Sequence, residues 1–163
     1  MRGPSIFGKI TVGFILIFMV TALNARSNPP DEIVTYRAVD DNELKMHVFL
    51  PPDFEPSDRR PTVVFFFGGG WNGGSPAQFY PYAEYLAGRG MVAMAAEYRT
   101  KKIHGTDPFA CVEDAKAAMR WARKNAASWG IDPQRLAAGG GSAGGHLAAA
   151  MDHGRHRFPA GAE

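Results

Sequence analysis

The chain has 163 residues, 45% of them hydrophobic and 21% charged, with a formal net charge of +2. This size sets the expectation of one domain, and the composition excludes disorder, a collagen-like repeat and a membrane bundle. Basic residues are scattered apart from Lys101-Lys102 and a tail pair at Arg155 and Arg157, which makes no nucleic-acid surface, and the single cysteine, Cys111, excludes an internal disulfide or a cysteine-based metal cluster.

Residues 1–25 read as a secretory signal peptide. Arg2 and Lys9 precede an apolar run from Ile10 to Val20, and Ala22-Leu23-Asn24-Ala25 follows as a cleavage region. The mature product is expected to be secreted or periplasmic, with no stable membrane span after cleavage; an uncleaved membrane anchor is the alternative reading of the same run. Residues 26–31 form a linker. Glu32 to Val39 and Leu44 to Leu50 are rich in strand formers around Asp40-Asp41-Asn42, which predicts a hairpin. Thr62 to Phe67 is a continuous apolar run, as in a strand buried on both faces of a parallel sheet. Phe79, Tyr82, Tyr85 and Leu86 predict the apolar face of a helix over Gln78 to Gly88, and Met91 to Ala96 predicts another buried strand. Val112, Ala115, Met119, Ala122 and Ala126 recur at helical spacing within Pro108 to Trp129, opposite Glu113, Lys116, Arg120 and Lys124. Cys111 reads as a small apolar residue on this helix. Leu136 to Ala138 is a short strand, and Ala143 to Met151 a helix. Alternating strands and helices predict an α/β fold, a mostly parallel sheet with flanking helices over residues 32–150, followed by an irregular tail at 151–163.

Glycine is the compositional outlier, and ten of the 19 glycines fall at positions 68–70, 73–74, 139–141 and 144–145. The second cluster, Gly140-Gly141-Ser142-Ala143-Gly144, matches the nucleophile-elbow pattern G-x-S-x-G between a predicted strand and a predicted helix. Small neighbours permit the sharp turn that presents a serine hydroxyl clear of the backbone. The alternative is that Ser142 caps the helix beginning at Ala143. The first cluster, Phe67-Gly68-Gly69-Gly70-Trp71, follows a buried strand upstream of Ser142, where amides unobstructed by side chains serve an oxyanion. A phosphate-binding loop is the other use of such glycines. Neither cluster carries the P-loop lysine, and no acidic residue follows at dinucleotide spacing, so no cofactor and no metal are expected.

Together, Gly139-Gly140-Gly141-Ser142-Ala143-Gly144-Gly145-His146-Leu147 and Phe67-Gly68-Gly69-Gly70-Trp71 resemble the α/β-hydrolase esterases of the hormone-sensitive-lipase group and their secreted bacterial relatives. Gly130-Ile131-Asp132-Pro133 and Glu97-Tyr98-Arg99 add to the resemblance. It implies that Ser142 is the nucleophile, that the amides of Gly69, Gly70 and Ala143 form the oxyanion hole, and that the substrate is a small-molecule, carbohydrate or lipid carboxylic ester. The group usually has His where this chain has Phe67; that His supports the loop and is not the base, so the change bears on loop geometry.

In this fold the triad runs Ser, then Asp or Glu, then His, whereas only 21 residues follow Ser142. His146 lies one helical turn past the serine, which directs it along the helix and not back as base. Asp152, His153 and His156 fall in a tail without strand signal, His47 and His104 precede the elbow, and Glu97 and Asp114 read as a strand-end and an exposed helix charge. The composition change after Ala150 leads to the expectation that the family sequence is truncated or frame-shifted there. The elbow strand is then a sheet edge open to association, and the chain alone is catalytically impaired. A non-catalytic binding module and a serine peptidase of the same fold are the competing functional readings.

Overall fold

A computed structural model describes residues 28–151. The expected leader at 1–25 and the tail from residue 152 lie outside the described residues. Glu32–Val39 (β1) and Asn42–Phe49 (β2) form the predicted antiparallel hairpin. Its turn places Asp40 at φ 52°, left-handed backbone that Asp tolerates better than most residues. Arg60–Phe66 (β3), a 3₁₀ turn at Pro76–Phe79, Tyr80–Ala87 (α1), Val92–Ala96 (β4), Lys101–His104 (α2), Pro108–Lys124 (α3), Ile131–Gly140 (β5) and Ala143–Ala149 (α4) complete the order.

The sheet runs β1-β2-β4-β3-β5; β2 is antiparallel to β4, and β4, β3 and β5 are mutually parallel. This is the α/β architecture expected from the sequence. One face buries Met46, Val64, Phe66 and Met94 against Cys111, Ala115, Ala118 and Ala122 of α3 and Leu147 of α4. The opposite face packs Phe49, Val63 and Ala93 against Ala83 and Ala87 of α1. Every residue of β4 is buried, as a strand sandwiched between helices requires. α3 starts where Asp107 accepts the Ala110 N–H at 3.0 Å, with Pro108 in the first turn. No helix among the described residues is long and apolar enough to cross a membrane.

Several expectations need correction. In α1 the buried side chains are Ala83 and Ala87, while Tyr82 and Tyr85 are exposed; tyrosine rings mimic an apolar stripe in the sequence yet keep their hydroxyls in water. Arg89 lies over the Tyr85 ring, 3.5 Å from its centroid. α3 ends at Lys124, before the turns that lead to Gly130 at φ 54°. β5 begins at Ile131, five residues earlier than predicted, because Pro133 and its polar neighbours mask a segment that pairs with β3 through a register shift. Asp114 is wholly buried and not an exposed helix charge: it accepts the Arg99 backbone N–H at 2.9 Å, Arg99 Nε at 2.9 Å and Arg99 Nη2 at 3.1 Å, and pairs with Arg37. Cys111 occupies the buried position read for it, donating to the Arg99 carbonyl at 3.1 Å, and burial first, then Asp114, pushes its thiol up to about 11. β5 is an edge strand, with β3 as its one neighbour among the described residues.

Candidate active site

The site is built at the carboxyl ends of two neighbouring parallel strands, where ligands collect in open α/β sheets. β3 and β5 pair with Phe66 opposite Gly140, so the chain leaves both strands at the same level and the two glycine clusters emerge side by side. A Cβ placed on Gly68 would stand 2.8 Å from the Gly141 carbonyl oxygen and 3.3 Å from Ser142 Cβ. The loop after β3 thus lies directly against the serine.

Ser142 occupies the N-cap position of α4 with φ 52° and ψ −119°, and its side chain makes no capping bond. A capping serine takes extended backbone and bonds the first turn; this one does neither, which removes the cap reading. A non-glycine residue held in such backbone costs on the order of 1–3 kcal/mol and marks a place that the surroundings over-determine. The surroundings here are glycines. A Cβ on Gly140 would meet the Gly144 carbonyl carbon and oxygen at 2.4 Å, and one on Gly144 would meet the Phe66 carbonyl oxygen at 1.9 Å. Both glycines of the motif are therefore fixed by the approach of α4 to the ends of β3 and β5.

The loop after β3 turns through Gly69 (φ 144°), Gly70 (φ 60°) and Trp71 (φ 60°). The Gly69 carbonyl accepts the Asn72 N–H at 3.1 Å and the Gly73 N–H at 3.4 Å, while the Trp71 and Asn72 carbonyls take the first N–H groups of α2 at 2.9 Å each. The N–H groups of Gly69, Gly70 and Ala143 donate no backbone hydrogen bond among the described residues. The peptide that introduces the loop is bonded at both ends: Tyr98 Oη donates to the Phe67 carbonyl and the Gly68 N–H donates to Gln78 Oε1, each at 2.6 Å. Burial raises the Tyr98 phenol above its ordinary range, so it remains a donor at neutral pH. Phe67 stacks on Tyr98 at 4.0 Å between ring centroids and touches Gly74, where a Cβ would lie 2.4 Å from its ring. An aromatic stack thus supports the loop at the position where the resembling group has His.

The remaining candidates sit apart. His146 is exposed on α4 with its ring edge-on to Trp71 at 5.7 Å. His104 accepts the Thr100 N–H at 2.9 Å. His47 bonds Tyr80 Oη at 2.6 Å and faces Glu97 at 3.6 Å. Burial raises the Glu97 carboxyl, but His47 and the Lys45 N–H together outweigh it and hold the group below its ordinary value. None of the three histidines is hydrogen-bonded to Ser142, and Asp152, His153 and His156 lie outside the described residues. Gln78 carries no motif signal, because it acts on backbone distant in sequence; Tyr98 was named only as part of the Glu97-Tyr98-Arg99 segment that adds to the resemblance, without this role.

Comparison with known proteins accords with this geometry. The BD-FAE family model matches residues 46–158, more than half of the chain. Carboxylesterase NlhH of Mycobacterium tuberculosis is 36% identical over 111 residues, which are 67% of this chain and 33% of that protein. Arylacetamide deacetylase of Bos taurus is 32% identical over 158 residues, 90% of this chain and 38% of the relative. A solved structure of an esterase from Thermogutta terrifontis with propionate bound is 58% identical with a TM-score of 0.72, covering 72% of this chain and 43% of that one. The chain spans about a third of the length of these curated relatives. With a family model over most of its length and a solved esterase 58% identical over 72% of it, the chain belongs to the BD-FAE family of α/β-hydrolase esterases.

Proposed function

We propose that this chain carries the nucleophile and oxyanion half of a serine carboxylesterase. In this reading Ser142 Oγ attacks the ester carbonyl, the carbonyl oxygen gains negative charge, and the N–H groups of Gly69, Gly70 and Ala143 donate to it. Collapse of the tetrahedral intermediate breaks the ester C–O bond, the alcohol leaves with the proton given up by the Ser142 hydroxyl, and water then hydrolyses the acyl-serine to free acid and serine. The observation that carries the reading is the positive-φ Ser142, uncapped and set against a loop whose Gly69 and Gly70 amides donate no backbone hydrogen bond among the described residues. Such donors are worth about 10²- to 10³-fold in rate each. Short acyl groups are the proposed substrates, in keeping with a related esterase solved with propionate and with butyrate. No described histidine reaches Ser142, which supports the further proposal that these residues by themselves turn over esters poorly. Export to the periplasm or exterior is proposed from the N-terminal sequence alone.

Labelling with a fluorophosphonate tests the reading. The expected result is one adduct, on Ser142 and lost in Ser142→Ala, with little steady-state ester turnover. Folded protein that takes up no label sinks the nucleophile assignment and favours a binding module; rapid Ser142-dependent turnover sinks the impairment.

A further inference from the structure

The loop after β3 owes its aim to two side chains that belong to neither glycine cluster. A peptide unit is planar and trans, so its N–H and C=O point in opposite directions and fixing both fixes the whole plane. The Phe67–Gly68 unit is fixed in that way: its C=O by Tyr98 Oη and its N–H by Gln78 Oε1, each at 2.6 Å. Tyr98 lies two residues beyond β4 and is 2% exposed, whereas Gln78 comes from the 3₁₀ turn and is otherwise exposed. Two units further on, the Gly69 carbonyl is taken by Asn72 and Gly73, which turns the Gly70 N–H the opposite way. Between them the Gly68 carbonyl lies against Gly74, where a Cβ would stand 2.5 Å from its oxygen, so the Gly69 N–H faces away from Gly74. The two proposed donors are therefore bracketed by one peptide fixed from outside the loop and one fixed from within it.

We infer that Gln78, with Tyr98 opposite it, is a positioning residue that locks the Phe67–Gly68 peptide and thereby aims the Gly69 and Gly70 amides at the acyl oxygen. This inference rests on the esterase reading for its consequence but not for its geometry. Gln78 touches no reacting atom. Without its oxygen the Gly68 N–H loses its acceptor and the plane is held at one end only. Because misplacement of about 1 Å can cost 10²-fold in a reaction step, the effect falls on bond formation and not on encounter.

The test uses the whole chain with Gln78→Met, which keeps length and removes the acceptor, and Gln78→Glu, which keeps an oxygen there. In Gln78→Met the saturating rate constant for fluorophosphonate attack at Ser142 should fall about 10- to 100-fold while the half-saturating concentration holds. Amide hydrogen exchange should rise about tenfold or more at Gly68, whose N–H loses its acceptor, and stay unchanged at Val64 and Met94. Gln78→Glu should keep Gly68 protected. An unchanged rate constant and unchanged exchange in Gln78→Met overturn the inference, as does a rise spread equally over β3 and β4. If wild-type protein takes up no label, the nucleophile reading fails, and exchange at Gly68 alone decides whether Gln78 holds the loop.

Discussion

Asp114→Ala should be among the most damaging single substitutions in this chain, lowering stability by about 3–5 kcal/mol. The carboxylate is fully buried, and it receives the Arg99 guanidinium through two bonds, the Arg99 backbone N–H, and Arg37. Truncation leaves Arg99, itself 7% exposed, with the exposed Glu113 carboxylate at 3.6 Å as its remaining ion pair among the described residues. Against a total of about 5–15 kcal/mol for a typical domain this is a large share. In urea it should appear as a midpoint lowered by roughly 2 M. The paired variant Asp114→Leu with Arg99→Met should lose less than Asp114→Ala, since removing both charges also removes the desolvation penalty. A change below about 1 kcal/mol in Asp114→Ala would show that water reaches the pair. The damage extends to the site, because Arg99 follows Tyr98, and the segment held by Asp114 is the one that carries the Tyr98 bond to Phe67.

Gly144→Ala should be comparably severe for a different reason. Its new methyl group would sit 1.9 Å from the Phe66 carbonyl oxygen, 2.5 Å from the Phe66 carbonyl carbon and 2.6 Å from the Phe67 oxygen. All three are backbone atoms at the end of a central strand, so relief requires α4 to move away from β3. Overpacking against side chains costs about 1–3 kcal/mol, and rigid backbone places this case at the upper end or beyond it. The adjacent Gly145→Ala is the control. Its nearest neighbour would be the Gly140 oxygen at 3.3 Å, and the alanine gains up to about 1 kcal/mol of helix propensity. Thermal unfolding of the two variants side by side checks the contrast; equal melting temperatures would mean that α4 is not seated on β3 as described.

These two residues also show what a sequence carries and what it hides. Gly144 was legible because the elbow is a local pattern of five residues, although the carbonyls that exclude a side chain there come from Phe66 and Phe67. Strand alternation and the apolar period of α3 were legible for the same reason. Asp114 was not: an acid within an amphipathic helix reads as a solvated charge, and its partners Arg37 and Arg99 are placed beside it only by the sheet. Gln78 was hidden likewise, its bond to Gly68 joining a 3₁₀ turn to the end of β3. The start of β5 was lost because Asp132-Pro133 imitates a turn, although the chain there already pairs across from Arg60.

The position of β5 couples two properties that ordinarily vary independently. Ser142 is held in an unfavourable conformation two residues beyond a strand that has one neighbour among the described residues, and a strand bonded along one edge opens locally more easily than one bonded along both. Any chain that pairs with the free edge populates the closed strand, and with it the serine in its tense geometry. By linkage the reverse holds, and whatever captures the tense serine tightens the edge contact by the same factor. The fluorophosphonate rate per molecule should therefore climb with protein concentration and fall back in Ala137→Lys, which puts a charge on the exposed edge. A rate independent of concentration in an associating sample would separate the two.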